Sequence, residues 1–356
     1  MSLQKRIKLI DSLRGLAALI VVEHHIVSLN SEKLKSFTAP TLFEILNWLS
    51  NKNVEAVLFF FIVSGFSIGL SLAKNPITDK NSVNEYLYRR AKRILPIYWL
   101  AISIALISLF LFPAIYNASF SFYNLLGNLI FLQTPNIAGA WFIPYGNNGP
   151  LWSLSYEFYF YLLAIPVLIF KRKFSISPSK LTLVFFMVSL IMIGFSHKFP
   201  NPFTSFLTLF PIWLIGYELS HMYIHKKANK HYLIILASVF IISTFINQVY
   251  LRSSTLEVLN LGILISLVSC FGYALYQVKP FQNYLAVLIN IFNEIFYKIG
   301  LASFSIYIFH YLLLRPLNQY HLFIQITTLS FFIICCYYFE TWIVKKRFLF
   351  FKRKYV

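Results

Sequence analysis

Ten separate stretches of this 356-residue chain are each long and apolar enough to cross a lipid bilayer, and that repetition constrains the fold more than any single motif. A transmembrane helix needs about 20 mainly apolar residues to cross a hydrocarbon core of roughly 30 Å. The stretches cover 10–30, 54–73, 94–116, 151–170, 181–197, 203–223, 232–250, 256–276, 301–320 and 322–344. Two further apolar segments fall short. Residues 121–134 would reach only about 21 Å as a helix, and 284–297 is equally short and carries Asn290, Asn293 and Glu294. Both read as interfacial or re-entrant pieces. The expected fold is an all-α integral membrane protein with about ten transmembrane helices. Residues 1–344 form one transmembrane domain and 345–356 a basic cytoplasmic tail.

Only 12% of the residues are charged, about half the share in a soluble domain. The formal net charge of +19 would suggest nucleic acid in a soluble protein. Here the lysines and arginines sit in short loops between apolar runs, where they set topology, so no nucleic-acid partner is expected. With ten spans, 24 basic residues fall on one side of the membrane. The other side holds Lys33, Lys35, Lys52, Lys198 and Arg252, while Arg14 and Arg315 lie within spans. That asymmetry places both termini in the cytoplasm. Making the two short segments cross as well would export the basic loops at 171–180 and 224–230.

Asp11, Arg14, Glu23, His24 and His25 interrupt the first apolar run, which therefore reads as an uncleaved span and not a signal peptide. Cys270, Cys335 and Cys336 lie in apolar stretches without zinc spacing and read as small buried residues. No linker or repeat is visible, and no attached soluble domain is expected. The loop 117–150 contains no ionisable acid or base, and is either a passive outer loop or a lid or groove for a polar neutral ligand.

Charged groups inside a span cost a few kcal/mol each and usually face a polar cavity. At 100° per residue, Arg14 and His25 differ by about 20° around the helix axis, while Glu23 lies nearly opposite. Asp11, Arg14, Ala18 and His25 thus form one stripe. In the second span, Ser64-Gly65 is either a close helix contact or part of a site. The loop before the third span reads Tyr88-Arg89-Arg90-Ala-Lys92-Arg93-Ile-Leu-Pro96-Ile-Tyr98. Topology alone explains such a run; the alternative is a cationic mouth for a phosphate-bearing ligand. The fourth span opens with Trp152, Ser153 and, six residues in, Glu157, with no Lys or Arg inside the apolar run. That carboxylate must find a partner on another helix or be protonated. In the ninth span Ser303, Tyr307 and His310 occupy neighbouring turns, and a lone core histidine there would be unremarkable. His-Glu-x-x-His, Gly-x-Ser-x-Gly, Cys-x-x-Cys and phosphate-binding glycine loops are all missing, which removes the main support for metal, serine-hydrolase and nucleotide-hydrolysis chemistry.

Five of these stretches, in this order, resemble motifs of the acyltransferase 3 family, polytopic bacterial membrane O-acyltransferases. They are Asp11-Ser-Leu-Arg14-Gly15-Leu-Ala-Ala with His25, Phe60-Phe61-Ile-Val-Ser64-Gly65-Phe66, Arg90 to Tyr98, Leu151-Trp152-Ser153-Leu-Ser-Tyr-Glu157, and Ser303-Phe-Ser-Ile-Tyr307-Ile-Phe-His310. The resemblance covers nearly the whole chain. It implies transfer of an acyl group, usually acetyl, from cytoplasmic acetyl-CoA to a hydroxyl of a surface polysaccharide or its lipid-linked precursor. It also implies a multi-pass protein of a bacterial cytoplasmic (inner) membrane, with lipid and glycan as partners. By the same resemblance His25 is the catalytic candidate, and Arg14 and Arg93 matter for donor binding or function. Glu23-His24 stands where the family usually has an apolar or aromatic pair. Larger members carry an esterase-like domain that is not expected here.

The chemistry agrees with that implication. A positioned histidine can take the proton of a sugar hydroxyl as it attacks a thioester, and a carboxylate such as Glu157 can orient the imidazole. An acyl-histidine relay is the other route. The expected catalytic pair is His25 and Glu157. The expected substrate-binding set is Asp11, Arg14, Ser64, Gly65, Arg90, Lys92, Arg93, Tyr98, Trp152, Ser153, Tyr307 and His310. Acetyl-CoA is a co-substrate; no permanently bound cofactor and no metal is expected. His25 falls about 7 Å inside the outer end of its span and Glu157 about 9 Å below the same surface, with Arg14 and Arg93 near the inner face. A proton-coupled transporter or flippase for an anionic or glycan-linked solute is the competing reading, weakened by the lack of visible inverted repeats.

Overall fold

In a computed structural model of the chain, the described residues are 7–112, 115, 120–135, 140–196, 199, 201–251 and 253–352, with side chains described except at 250–251, 279–285 and 343–352. Lys5, Arg6, Lys198, Arg252, Arg353 and Lys354 of the charge count, and part of the 117–150 loop, lie outside them. The helices are α1 (Lys8–Phe37), α2 (Pro40–Ser50), α3 (Asn53–Lys74), α4 (Lys80–Leu111), α5 (Phe122–Leu129), α6 (Trp152–Lys173) and α7 (Pro178–Ser196). They continue as α8 (Pro202–His225), α9 (Lys230–Ile246), α10 (Ser254–Tyr276), α11 (Lys279–Leu301), α12 (Ser303–Leu317) and α13 (Leu322–Lys352). No strand occurs among the described residues; Gln133 and Phe142 form one isolated bridge.

Among the described residues, nine helical runs are long and apolar enough to span a membrane. A tenth candidate is the bent pair Ala286–Leu301 and Ser303–Leu317, which turns by 64°. The chain is therefore an all-α, multi-pass membrane protein.

Five local features depart from the pattern of apolar runs. The first helix does not end near Asn30 but changes direction there (φ −119°, ψ 21°) and runs on to Phe37. A short helix, α2, follows, opened by Pro40 at its first turn. The ninth span is only the 15 residues of α12, because Ala302 (φ −99°, ψ 0°) breaks the ladder. The segment 284–297, expected to be interfacial or re-entrant, lies within α11 on the other side of that break. Lastly, the basic run Arg89–Arg93 is not a loop. It lies inside α4, which opens at Lys80, fourteen residues before the apolar stretch. The reason is a reciprocal cap. The Ser82 N–H donates to Asp79 Oδ1 (2.8 Å) and the Asp79 N–H donates to Ser82 Oγ (2.9 Å), which satisfies amides a helix start would leave orphaned. The Ser82 amide and hydroxyl also hold the Asp79 carboxyl below the usual carboxylate range.

The chain forms two compact units. One comprises Met1–Ala56, Phe112–Asn117 and Tyr284–Val356; the other comprises Val57–Leu111 and Ala118–Asn283. In the first, α1 packs on α2 and α12, and α12 on α13. The α1 and α11 backbones meet at Gly15 and Gly300, where a Cβ on Gly300 would collide with the Asp11 carbonyl. Beside that crossing Ser12 Oγ donates to Asn293 Oδ1 (2.7 Å), which accounts for one polar residue of the 284–297 segment.

In the second unit α7 and α8 pack along their length, and α8 also meets α6 and α10. The crossing of α3 and α8 depends on small residues: a Cβ on Gly65 would strike the Trp213 carbonyl, and one on Gly216 the Ile62 carbonyl. Such contacts are how apolar helices approach closely where no hydrophobic force drives them together. Buried amides tie Asn128 and Gln133 to Ile143, Tyr145 and Leu151. Asn128 Nδ2 donates to the Ile143 carbonyl (2.9 Å), Asn128 Oδ1 accepts from the Tyr145 N–H (2.9 Å), and Gln133 Nε2 donates to the Leu151 carbonyl (3.0 Å).

Candidate active site

The polar residues expected to carry chemistry gather in two clusters, one in each unit. The first is built on α1. Asp11 and Arg14, one turn apart, approach to 3.9 Å with both side chains largely shielded from solvent. Further along, His24 and His25 part company. His24 Nδ1 donates to the Ser50 carbonyl (2.9 Å) and lies 3.1 Å from Ser50 Oγ, so this ring anchors α1 to α2. The half-buried His25 ring instead packs against α12, 5.2 Å from the His310 ring and 4.6 Å from the Tyr311 ring between centroids. It makes no hydrogen bond to a described residue. His310 is fully buried and its Nδ1 lies 3.0 Å from the Ile306 carbonyl. The Tyr307 ring is 6.2 Å from that of His310. The two adjacent histidines thus meet different helices, His24 the end of α2 and His25 α12. Both carboxylate oxygens of Glu23 are shielded without a hydrogen-bond partner among the described residues.

The second cluster joins α3, α4, α6 and α8. Glu157 Oε1 accepts from the Tyr161 hydroxyl and from Ser64 Oγ, the latter at 3.2 Å. Ser64 Oγ also lies 3.0 Å from the Tyr161 hydroxyl and accepts from the Trp213 indole at 3.3 Å. The Arg90 guanidinium stands over the rings of Tyr86 (5.7 Å) and Tyr161 (5.8 Å). Glu157 thus finds hydroxyl partners on its own helix and on α3. Arg89 pairs with Glu85 at 3.2 Å, and the Lys92 ammonium lies over the Tyr88 ring at 5.7 Å. Arg93 is half-buried one turn from Arg90.

Other expected binding residues have structural partners. Gly65 is the close contact of α3 with α8. The buried Tyr98 hydroxyl donates to the Asn128 carbonyl (2.7 Å) and accepts from Gln133 Nε2 (2.8 Å), so both its functions hold Asn128 and Gln133 to α4. Trp152 joins an aromatic group with Phe61 and Tyr156, and Ser153 Oγ donates to the Pro150 carbonyl at 3.4 Å.

Tyr161, Trp213 and Tyr311 are members of these clusters that motif reading passed over. Tyr161 is legible as the residue one turn after Glu157; the other two depend on which helices meet. A buried carboxylate, Glu218, also escaped notice although it stands alone among apolar residues of α8. Its Oε1 accepts from Ser179 Oγ (3.0 Å), which in turn accepts from Asn229 Nδ2 (3.3 Å). That chain links the ends of α7, α8 and α9 and has a structural character. No group of three His, Cys, Asp or Glu suited to a metal occurs among the described residues.

A family model described as an acyltransferase domain matches residues 7–341. No curated protein and no solved structure matches the chain.

Proposed function

This chain belongs to the acyltransferase 3 family, and from that membership we propose that it moves an acetyl group from acetyl-CoA to a sugar hydroxyl. It is a membrane acyltransferase, and the acceptor in this reading is a surface polysaccharide or its lipid-linked precursor. Its setting is a bacterial cytoplasmic membrane, with both termini inside. His25 acts as the base. The observation that supports this choice is the contrast with its neighbour: His24 is held by Ser50, whereas the His25 ring has no hydrogen bond to any described residue.

His25 takes the proton of the acceptor hydroxyl while the oxygen attacks the thioester carbonyl. The C–S bond then breaks, and the departing CoA thiolate recovers the proton from His25. The CoA phosphates suit the cationic side of α4, where Arg90 and Arg93 stand one turn apart. Glu157, with Ser64 and Tyr161, adds a hydrogen-bonded polar group beside Arg90 within the second unit.

The experiment uses purified protein in detergent, acetyl-CoA and the host's surface glycan, with released CoA thiol and acetylated glycan both measured. His25→Ala is expected to abolish transfer with the protein still in the membrane, and His24→Ala to retain substantial activity. The reverse pattern would remove His25 as the base. Acetyl-CoA left intact in the presence of acceptor would favour a transport function.

A further inference from the structure

His310 was expected to contact substrate; its surroundings point to a different task. The ring is fully buried on α12, and its Nδ1 lies 3.0 Å from the Ile306 carbonyl. A carbonyl can only accept, so Nδ1 carries the hydrogen and, in the neutral ring, Nε2 is a bare lone pair. That Nε2 is shielded from solvent and has no hydrogen-bond partner among the described residues. Few buried polar atoms of a folded protein are left in this state, and those that are call for an explanation.

The imidazole packed against this ring is that of His25. The two ring centroids are 5.2 Å apart with the planes tilted by 35°. The angle that turns an imidazole about its Cβ–Cγ bond is soft, so His25 can bring an N–H to the lone pair without moving the helix. Hydrogen bonds between catalytic groups are often long before substrate binds and tighten in the complex. The His24 ring also lies beside His25, edge-on at 4.9 Å between centroids, but only the His310 Nε2 is both shielded from solvent and without a partner among the described residues.

We propose that His310 is the positioning residue of His25: its Nε2 accepts the N–H that His25 turns away from the acceptor sugar. The backbone carbonyl of Ile306 fixes the tautomer of His310, and His310 in turn fixes that of His25. The remaining nitrogen of His25 then presents its lone pair to the hydroxyl. During transfer the proton passes from hydroxyl to His25 and on to the CoA thiolate, while His310 only accepts a hydrogen bond and keeps no proton. This proposal rests on His25 being the base.

The test compares two amides that split the functions of the imidazole. In His310→Gln the amide reaches the place of Nε2, and its oxygen accepts from His25. In His310→Asn the amide reaches only the place of Nδ1 and restores the Ile306 bond alone. Gln is expected to keep kcat within about tenfold of the native enzyme, and Asn to lower kcat by about 100-fold, both with KM for acetyl-CoA unchanged. His310→Leu should behave like Asn if it folds. Melting temperature and size-exclusion profile in detergent accompany each variant. Equal activity of Gln and Asn, or a change confined to KM, overturns the proposal. His25→Ala is measured alongside. If it is inactive while His310→Asn is fully active, the positioning role alone falls. If His25→Ala retains activity, the base assignment falls and takes this one with it.

Discussion

Asn30 and Gln325 exchange a pair of amide hydrogen bonds, 2.9 Å and 2.8 Å long, at the point where α1 changes direction. Each amide uses its second N–H as well, Asn30 on the Ile26 carbonyl (3.0 Å) and Gln325 on the Tyr320 carbonyl (3.1 Å). Both side chains are buried. Removing one leaves the other's polar atoms stranded, at a cost of about 1–2 kcal/mol. Asn30→Leu and Gln325→Leu should each lower thermal stability in detergent, and the double variant should lose less than the sum. Strict additivity would mean that the pair is not coupled.

The crossing of α1 with α11 has no room for a side chain at Gly300, whose Cβ would meet the Asp11 carbonyl. Backbone cannot yield as a flexible side chain does. Gly300→Ala is expected to cost about 1–3 kcal/mol, and to disturb the turn that brings Asp11 and Arg14 together. Gly194→Ala is the control, since nothing lies within 4 Å of the added atom. A thermal melt of both variants should show a drop for position 300 alone.

Glu157 and the basic face of α4 should fail in different ways. Glu157→Gln replaces with an amide the carboxyl group whose Oε1 accepts from Ser64 and Tyr161, and turnover should fall by about 100-fold with little change in KM for acetyl-CoA. Arg93→Ala should instead raise that KM by about tenfold, the weight of one charge-assisted hydrogen bond to phosphate. Steady-state kinetics with acetyl-CoA as the varied substrate separates the two. A shared loss of kcat alone would argue against a donor site on α4.

Sidedness can be read from two exposed positions of the second unit. Ile143 is half exposed, whereas Asn148 is fully buried and unsuited to labelling; Lys173 is exposed at the far end of α6. In a background lacking Cys335, the exposed native cysteine, an impermeant thiol reagent should label Ile143→Cys in intact cells and spare Lys173→Cys. In proteoliposomes of one orientation, transfer should occur only from acetyl-CoA supplied on the Lys173 side. Labelling of Lys173→Cys in intact cells would invert the topology.

The spans are legible because crossing a bilayer demands continuous apolar length, which a single sequence displays directly. Where a polar interaction decides the outcome, the apolar count misleads. The Asp79–Ser82 cap carries α4 back over Arg89–Arg93, and the break at Ala302 leaves the short 284–297 segment inside a long helix bent by 64° from α12. The stripe of α1 is legible from the 3.6-residue period, and it separates His25 from His24 without knowledge of any partner. The partners themselves are not. Helix surfaces in a membrane are apolar all round, so no amphipathic pattern says that α8 would bring Trp213 to Ser64, or α12 bring Tyr311 to His25.

The backbone contact of α3 with α8 has a dynamic consequence. Trp213 presents its carbonyl to Gly65 and its indole N–H to Ser64, so one residue governs both the helix separation and the hydroxyl next to Glu157. Sliding either helix along the other would push a carbonyl into an α-carbon, and tilting them apart would break the indole bond. This crossing therefore resists both sliding and tilting. Enlarging Gly65 should thus be read as altering the mobility of the enzyme as much as its stability.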